Sequence, residues 1–153
     1  MTDFGGMAKD IIESNRYMVL GTADEAGVPW VTPVWYVQSE YRRFVWVSSP
    51  ERRHSQNVLA RPAVSIVIFD SRVAVGSARA VYMAAHAEEL TGTELERDVA
   101  HFDAAGQAQG LPRRWTLEDV RPPAPYRLYR ATASQHWVLD PDSSPDDRAD
   151  VTL

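Results

Sequence analysis

Apolar and polar positions along the chain change their period several times, and each change marks an element. Ile11 and Ile12 ahead of Asn15 suggest a short opening helix, after which Tyr17-Met18-Val19-Leu20-Gly21-Thr22 has the β-branched and apolar character of a strand. Asp24-Glu25-Ala26-Gly27 reads as a turn, and Trp30 to Val37 as the return strand of a hairpin. Pro33 within that strand points to an edge or a bulge, because proline cannot donate to a ladder. A polar turn at Gln38 to Arg42 leads into Arg43-Phe44-Val45-Trp46-Val47-Ser48, again a strand. Ser49 as N-cap, Pro50 in the first helical position and Glu51 toward the dipole predict a helix that runs to about Ala60 and stops before Pro62.

Two further strands are expected at Ala63 to Phe69 and Arg72 to Met83, joined by a turn at Asp70-Ser71. The first is apolar enough to be buried on both faces, as in a closed barrel. From Ala84 to Arg121 helix-forming residues predominate, interrupted by Gly106 and Gly110 and resuming near Thr116-Leu117-Glu118-Asp119; this predicts a helical insert of two helices around a flexible loop. Pro122, Pro123 and Pro125 form a rigid connector to a closing strand from Tyr126 to Val138. The pattern is that of a mainly β protein, a barrel with α-helical additions. A single domain over residues 1–140 is expected, with an acidic tail over 141–153 that has little to bury and is expected to be disordered.

Composition narrows the chemistry. With 153 residues the chain fits one domain, and 44% hydrophobic residues suffice for a packed core. The net charge of −5 argues against a nucleic-acid partner. The absence of cysteine excludes disulfides, thiolate nucleophiles and thiolate metal sites, and fits a reducing, cytoplasmic setting. Neither a signal-peptide pattern nor an apolar run of membrane-spanning length is present. The histidines His54, His86, His101 and His136 lack metal-ligand spacing, so no metal site is expected, and no Ser/His/Asp order or carboxylate pair announces hydrolysis.

The stretch from Val47 to Asn57 is the most informative: a strand end running into a helix start with Ser48, Ser49, Arg52 and Arg53. Unpaired N–H groups and the positive end of the helix dipole favour an anion there, and arginine adds charge-assisted hydrogen bonds. Cations in a first helical turn are otherwise mildly unfavourable, by ~0.3–1 kcal/mol each. The competing reading is local pairing of Arg52 and Arg53 with Glu51 or Glu40 on a solvated surface. Trp30, Trp35, Tyr36 and Trp46 on neighbouring strands could stack on a planar ring, or fill a core or interface.

Three blocks resemble the flavin-binding split β-barrels related to pyridoxamine phosphate oxidase: Met18 to Tyr36, Phe44 to Ser65, and Tyr126-Arg127-Leu128-Tyr129 with His136-Trp137-Val138-Leu139. The resemblance implies a Greek-key split barrel that works as a homodimer, with FMN or a deazaflavin coenzyme at the interface and haem as a further alternative. By that resemblance Thr32, Pro33, Val34 and Trp35 lie along the flavin ring edge, Val47 and Ser48 flank the ribityl chain, and Ser49, Arg52 and Arg53, with Asn57 nearby, hold the phosphate. Trp137 would reach the pocket of the second subunit. The family usually shows a lysine-containing pair where Arg52-Arg53 stand. The implied activity is that of a flavin- or deazaflavin-dependent oxidoreductase acting on an unknown small molecule; a non-catalytic flavin, deazaflavin or haem carrier is the alternative. The polypeptide then supplies binding and orientation, and the catalytic residues stay unassigned.

Overall fold

The computed structural model describes residues 1–153. Helix α1 (Phe4–Ser14) starts at Asp3, whose carboxylate accepts the Gly6 N–H at 2.8 Å, and buries Ala8, Ile11 and Ile12 on one face. Strands β1 (Tyr17–Ala23) and β2 (Pro29–Trp35) form the expected hairpin, with Tyr17 opposite Trp35 and Ala23 opposite Pro29. In β1, Met18, Leu20 and Thr22 are buried while their neighbours are more exposed, the period-two alternation of a strand with one covered face.

The strand expected from Trp30 to Val37 is broken at Tyr36. Beyond it lies a separate strand, β3 (Val37–Ser39), which pairs with β4 (Arg43–Ser48) through a turn with Glu40 and Tyr41 at φ 56° and 57°. Antiparallel pairing runs in the order β2-β1-β5-β6-β7-β4-β3, so β2 and β3 sit at opposite ends of the sheet although only Tyr36 separates them. Covalent continuity, rather than a hydrogen-bonded ladder, therefore joins the two ends of the curled sheet, which is the geometry of a split barrel. The Tyr36 hydroxyl donates to the Ile12 carbonyl at 2.6 Å, with the Asn15 carbonyl 3.0 Å away as a second acceptor for the same proton, and so fixes the end of α1 at the split.

Helix α2 (Arg53–Ala60) begins later than its serine and proline suggested: Arg52, not Ser49, is the N-cap, and residues 49–52 form a turn. Strand β5 (Ala63–Phe69) alternates, with Val64, Ile66 and Ile68 buried and Ala63, Ser65 and Phe69 exposed. It was expected to be covered on both sides, but a single chain covers only its inner face. Strand β6 (Ala80–Glu89) starts eight residues later than Arg72 and runs on through the segment expected to turn helical. Phe69 pairs with Ala80, so residues 70–79 loop out. The Ala- and Glu-rich stretch stays extended because Ala85 and Ala87 face the core between β5 and β7, tertiary packing overriding local propensity.

Helix α3 (Gly92–Ala108) passes through Gly106 without a break and ends before Gly110, whose φ of 76° only glycine adopts freely. The second expected helix is a single 3-10 turn, Leu117–Val120. Strand β7 (Arg127–Asp140) lies between β6 and β4, and beyond the end of β4 its free edge pairs with β8 (Asp147–Val151). The acidic tail is thus not disordered here: the open edge offers it hydrogen-bond partners, and Val151 and Leu153 pack on the barrel core. That core of twenty buried residues fills the barrel, and a smaller one, with Val45, Leu95, Val99 and Phe102, lies between α3 and the outer face of β4.

Candidate functional site

Where β4 ends, the chain turns through Ser49 to Arg52 and enters α2. The Ser49 carbonyl accepts the Arg52 N–H at 3.2 Å and the Ser55 hydroxyl at 2.8 Å, which fixes the turn against the helix. Arg52 makes no side-chain cap, so the N–H groups of the first helical turn have no side-chain partner. No carboxylate lies within 4.0 Å of Arg52 or Arg53. Glu40 pairs instead with Arg43 at 3.0 Å, which removes the local-pairing alternative at that residue.

Beside this turn is a cleft of about 610 Å³. Its walls are Pro33, Val34 and Trp35 of β2, Val47 and Ser48 of β4, and Arg52 and His54 at the head of α2. Being the edge strand, β2 leaves one row of backbone groups unpaired by the sheet; Pro29 and Pro33 share a phase along it, as residues lacking a donor should on an open edge. His54 is buried, with Nε2 2.8 Å from the Ser48 hydroxyl. Burial first, and the Arg52 charge second, push its pKa below the ordinary imidazole value, so it stays neutral at pH 7.

Six of the residues singled out from sequence therefore meet in one cleft: Pro33, Val34, Trp35, Val47, Ser48 and Arg52. Thr32 is half-buried opposite Leu20, next to the cleft strand residues. The Ser49 hydroxyl accepts the Glu51 N–H at 3.3 Å. Arg53 turns aside, its guanidinium 4.2 Å above the Trp30 ring. Asn57 donates to the Thr22 hydroxyl at 3.0 Å and ties α2 to β1. Trp137 lies on a rung of the sheet that reads Pro33, Val19, Val67, Tyr82, Trp137 across five strands. Four strand spacings, about 19 Å along the curled sheet, lie between it and Pro33, and it is not among the residues that line the cleft of its own chain.

The roof of the cleft was not foreseen. Phe102 of α3, then Arg113 and Trp115 of the following loop, and Tyr126 before β7 complete the lining. Edge-to-face contacts link them in series: Trp35 to Phe102 at 4.8 Å, Phe102 to Trp115 at 6.2 Å, and Trp115 to Tyr126 at 5.5 Å between centroids. Arg113 stacks on Trp115 at 4.3 Å. Asp103 pins the loop to α3, accepting from Arg114 at 2.7 and 3.1 Å and from the Trp115 N–H at 2.8 Å; these bonds bring its pKa down to about 2. The spacing of Leu95, Val99 and Phe102 could have marked the buried face of α3, but nothing local aims that face at Trp35.

The family model for pyridoxamine 5'-phosphate oxidase matches residues 6–138. The chain belongs to the pyridoxamine 5'-phosphate oxidase family. Among solved structures, this family member is similar to HutZ, described as the haem storage protein of Vibrio cholerae (19% identity, 88% of this chain and 92% of that one, TM-score 0.67). It also resembles a FAD-binding protein of Mesorhizobium loti (17%, 85% and 87%, TM-score 0.62) and an F420 reductase (17%, 78% and 87%, TM-score 0.56). At these identities the likeness establishes the fold, and one fold carries several ligands. A search of curated proteins gives no significant match. No helix is long and apolar enough to cross a membrane.

Proposed function

We propose that the cleft holds the phosphorylated tail of FMN or a deazaflavin coenzyme and that the protein is an oxidoreductase acting on a small organic molecule. The observation that carries this reading is Arg52 in the wall of an apolar and aromatic cleft at the start of α2, without a carboxylate partner, with Arg53 next to it in sequence and stacked on Trp30. An unpaired guanidinium beside helix N–H groups that lack a side-chain partner is a donor set for a phosphate dianion. The cleft volume falls in the range of ligand sites, and Val34, Trp35, Val47 and Trp115 offer flat or branched surface to a ring system. The donor set and the cleft thus fit the cofactor class that the family binds.

On this reading Arg52, with Arg53 and the Ser49 turn, binds the phosphate. Val47 and Ser48 flank the chain that links phosphate to ring, and His54 holds the Ser48 hydroxyl in place. Backbone groups from Thr32 to Trp35 meet the ring edge, while Asn57 supports the site by anchoring α2. Bound flavin or deazaflavin supplies the hydride or electron transfer. Phe102 and Trp115 exclude water from that side of the cleft.

The opposite side is open, which points to a second copy of the chain. Val31, Pro33, Val19, Val67 and Tyr82 lie on the outer sheet face, where Val31 is 65% exposed, Val19 and Val67 are half-buried, and Arg148 covers the Tyr82 ring. A homodimer packed on that face would cover it and bring Trp137 to the partner's β2 edge. Equilibrium titration of the purified protein with FMN and with deazaflavin coenzyme tests the reading; micromolar or tighter binding of one is expected. Binding of neither removes it.

A second reading, haem carriage, has one observation in its favour: His54 is an imidazole in the cleft wall. Its Nε2 would have to leave Ser48 to meet iron. A sharp, bound-haem Soret band that shifts or weakens in His54→Ala would support haem carriage through His54, and parent protein that gives no bound-haem spectrum on titration with haem would count against it.

A further inference from the structure

A smaller compartment of about 310 Å³ adjoins the cofactor cleft and shares Trp35, Arg113 and Trp115 with it. Arg16 stands on its far side, and Gly106 and Leu111 complete the part that matters here. We infer that this compartment is the substrate subsite and takes a small, conjugated organic carboxylate, its charged end between Arg16 and Arg113 and its flat body against Trp35 and Trp115. Its role as a substrate site rests on the cofactor reading; its ligand chemistry does not.

Charge is the first argument. Two guanidiniums line the compartment and no acidic residue does, in a chain whose net charge is −5. Arg16 has no carboxylate within 4.0 Å, and the one near Arg113 is Asp119 at a loose 3.8 Å. Arg113 is held by stacking on Trp115 at 4.3 Å and meets Asp119 only through one terminal nitrogen, which leaves the rest of its N–H edge for a second carboxylate.

Shape is the second. Trp35 is fixed in orientation by its Nε1, which donates to Gln109 at 3.3 Å, and by the edge of Phe102. Trp115 is fixed by the Asp103 anchor at its own N–H. Two immobilised indoles make a surface suited to a planar body rather than to a flexible chain.

Gly106 is the third. It sits inside α3, where alanine is the better helix former. A Cβ there would meet Trp35 at 3.7 Å and Leu111 at 4.0 Å, ordinary contact distances, so alanine would fit and only a longer side chain would reach into this corner. A larger residue at 106 would stay helical and fill the compartment.

Calorimetric titration with 2-naphthoate and its neutral isostere 2-naphthamide tests the inference without requiring turnover. The acid should bind about tenfold more tightly than the amide, one charge-assisted contact's worth. Arg16→Gln, with Arg113→Gln added, should erase that preference by weakening the acid more than the amide, and Gly106→Leu should abolish binding of both. Arg16 is outside the cofactor cleft, so FMN affinity in Arg16→Gln should equal that of the parent chain. Loss of FMN binding everywhere with retained naphthoate selectivity would defeat the cofactor reading and leave the anion site standing. Equal affinities for acid and amide, or a preference that survives removal of both arginines, would overturn the subsite.

Discussion

Arg130 is the residue on which the roof of the cleft depends, and replacing it with methionine gives a quantitative forecast. It lies on β7 opposite Glu88, with a side chain only 10% exposed, and its guanidinium reaches Glu88 at 2.9 Å and two carboxylates of α3, Glu94 and Asp98, each at 3.2 Å. Glu88 and Glu94 are 43% and 52% exposed, so water takes over when the arginine goes, and each contributes only a few tenths of ~1 kcal/mol. Asp98 is 13% exposed and would keep only the more exposed Arg97 at 3.1 Å. Stranding a buried carboxylate costs ~3–5 kcal/mol in full burial, less with a residual partner. The Arg130 Nε is buried without an acceptor, and its removal returns ~1 kcal/mol.

The balance is a loss of about 2 kcal/mol, or roughly 4–8 °C in Tm for a domain of this size. Thermal unfolding followed by circular dichroism measures it, and hydrogen exchange should show the amides of α3 opening before those of β6 and β7. Adding Asp98→Leu to Arg130→Met should recover most of the loss, because the stranded charge is then gone. A Tm unchanged in Arg130→Met, with α3 amides protected as before, would refute the claim that this cluster clasps the roof to the barrel.

Further outcomes follow from the same geometry. The Asp103 carboxyl titrates near 2 when folded against 3.8 otherwise, so its anchor is complete above pH 4 and is lost as pH falls toward 2. Near-ultraviolet circular dichroism from Trp115 should fade over that interval, and Asp103→Asn should expose Arg113 and Arg114 to trypsin at neutral pH; unchanged proteolysis would deny the anchor. Val31→Glu places a charge where the single chain is already exposed, so the fold should persist, and if the parent sediments as the proposed dimer the variant should sediment as a monomer. A variant that sediments as the parent does would exclude that face as the contact.

The strands whose apolar runs are covered from both sides, or alternate cleanly, were legible in the sequence. β4 is covered on both sides, with Phe44 and Trp46 entering the barrel and Val45 under α3, and β1 alternates. Less legible was anything set by register. Nothing in Trp30 to Val37 says that Tyr36 leaves one end of the sheet for the other, and nothing in Arg72 to Met83 says that Phe69 waits for Ala80. The tail failed for the opposite reason, since its composition hid a free edge on β7 that only the folded sheet presents. At the site, the end of the strand at Ser48 and the helix that follows were readable because both signals are local, although the cap falls at Arg52 and not at Ser49. Phe102, Arg113 and Trp115 meet Trp35 from more than sixty-five residues away, and no local pattern carries that contact.

The central claim, a phosphate gripped at the head of α2, is tested most directly by comparing FMN with riboflavin, which lacks only the phosphate. Each charge-assisted hydrogen bond to an arginine is worth ~1.5–3 kcal/mol, so the intact chain should prefer FMN by about 10- to 100-fold. Replacing both Arg52 and Arg53 with alanine should collapse that ratio toward unity through loss of FMN affinity, with riboflavin affinity held. Equal affinities in the unaltered protein, or a preference for FMN that survives the double substitution, would contradict the account.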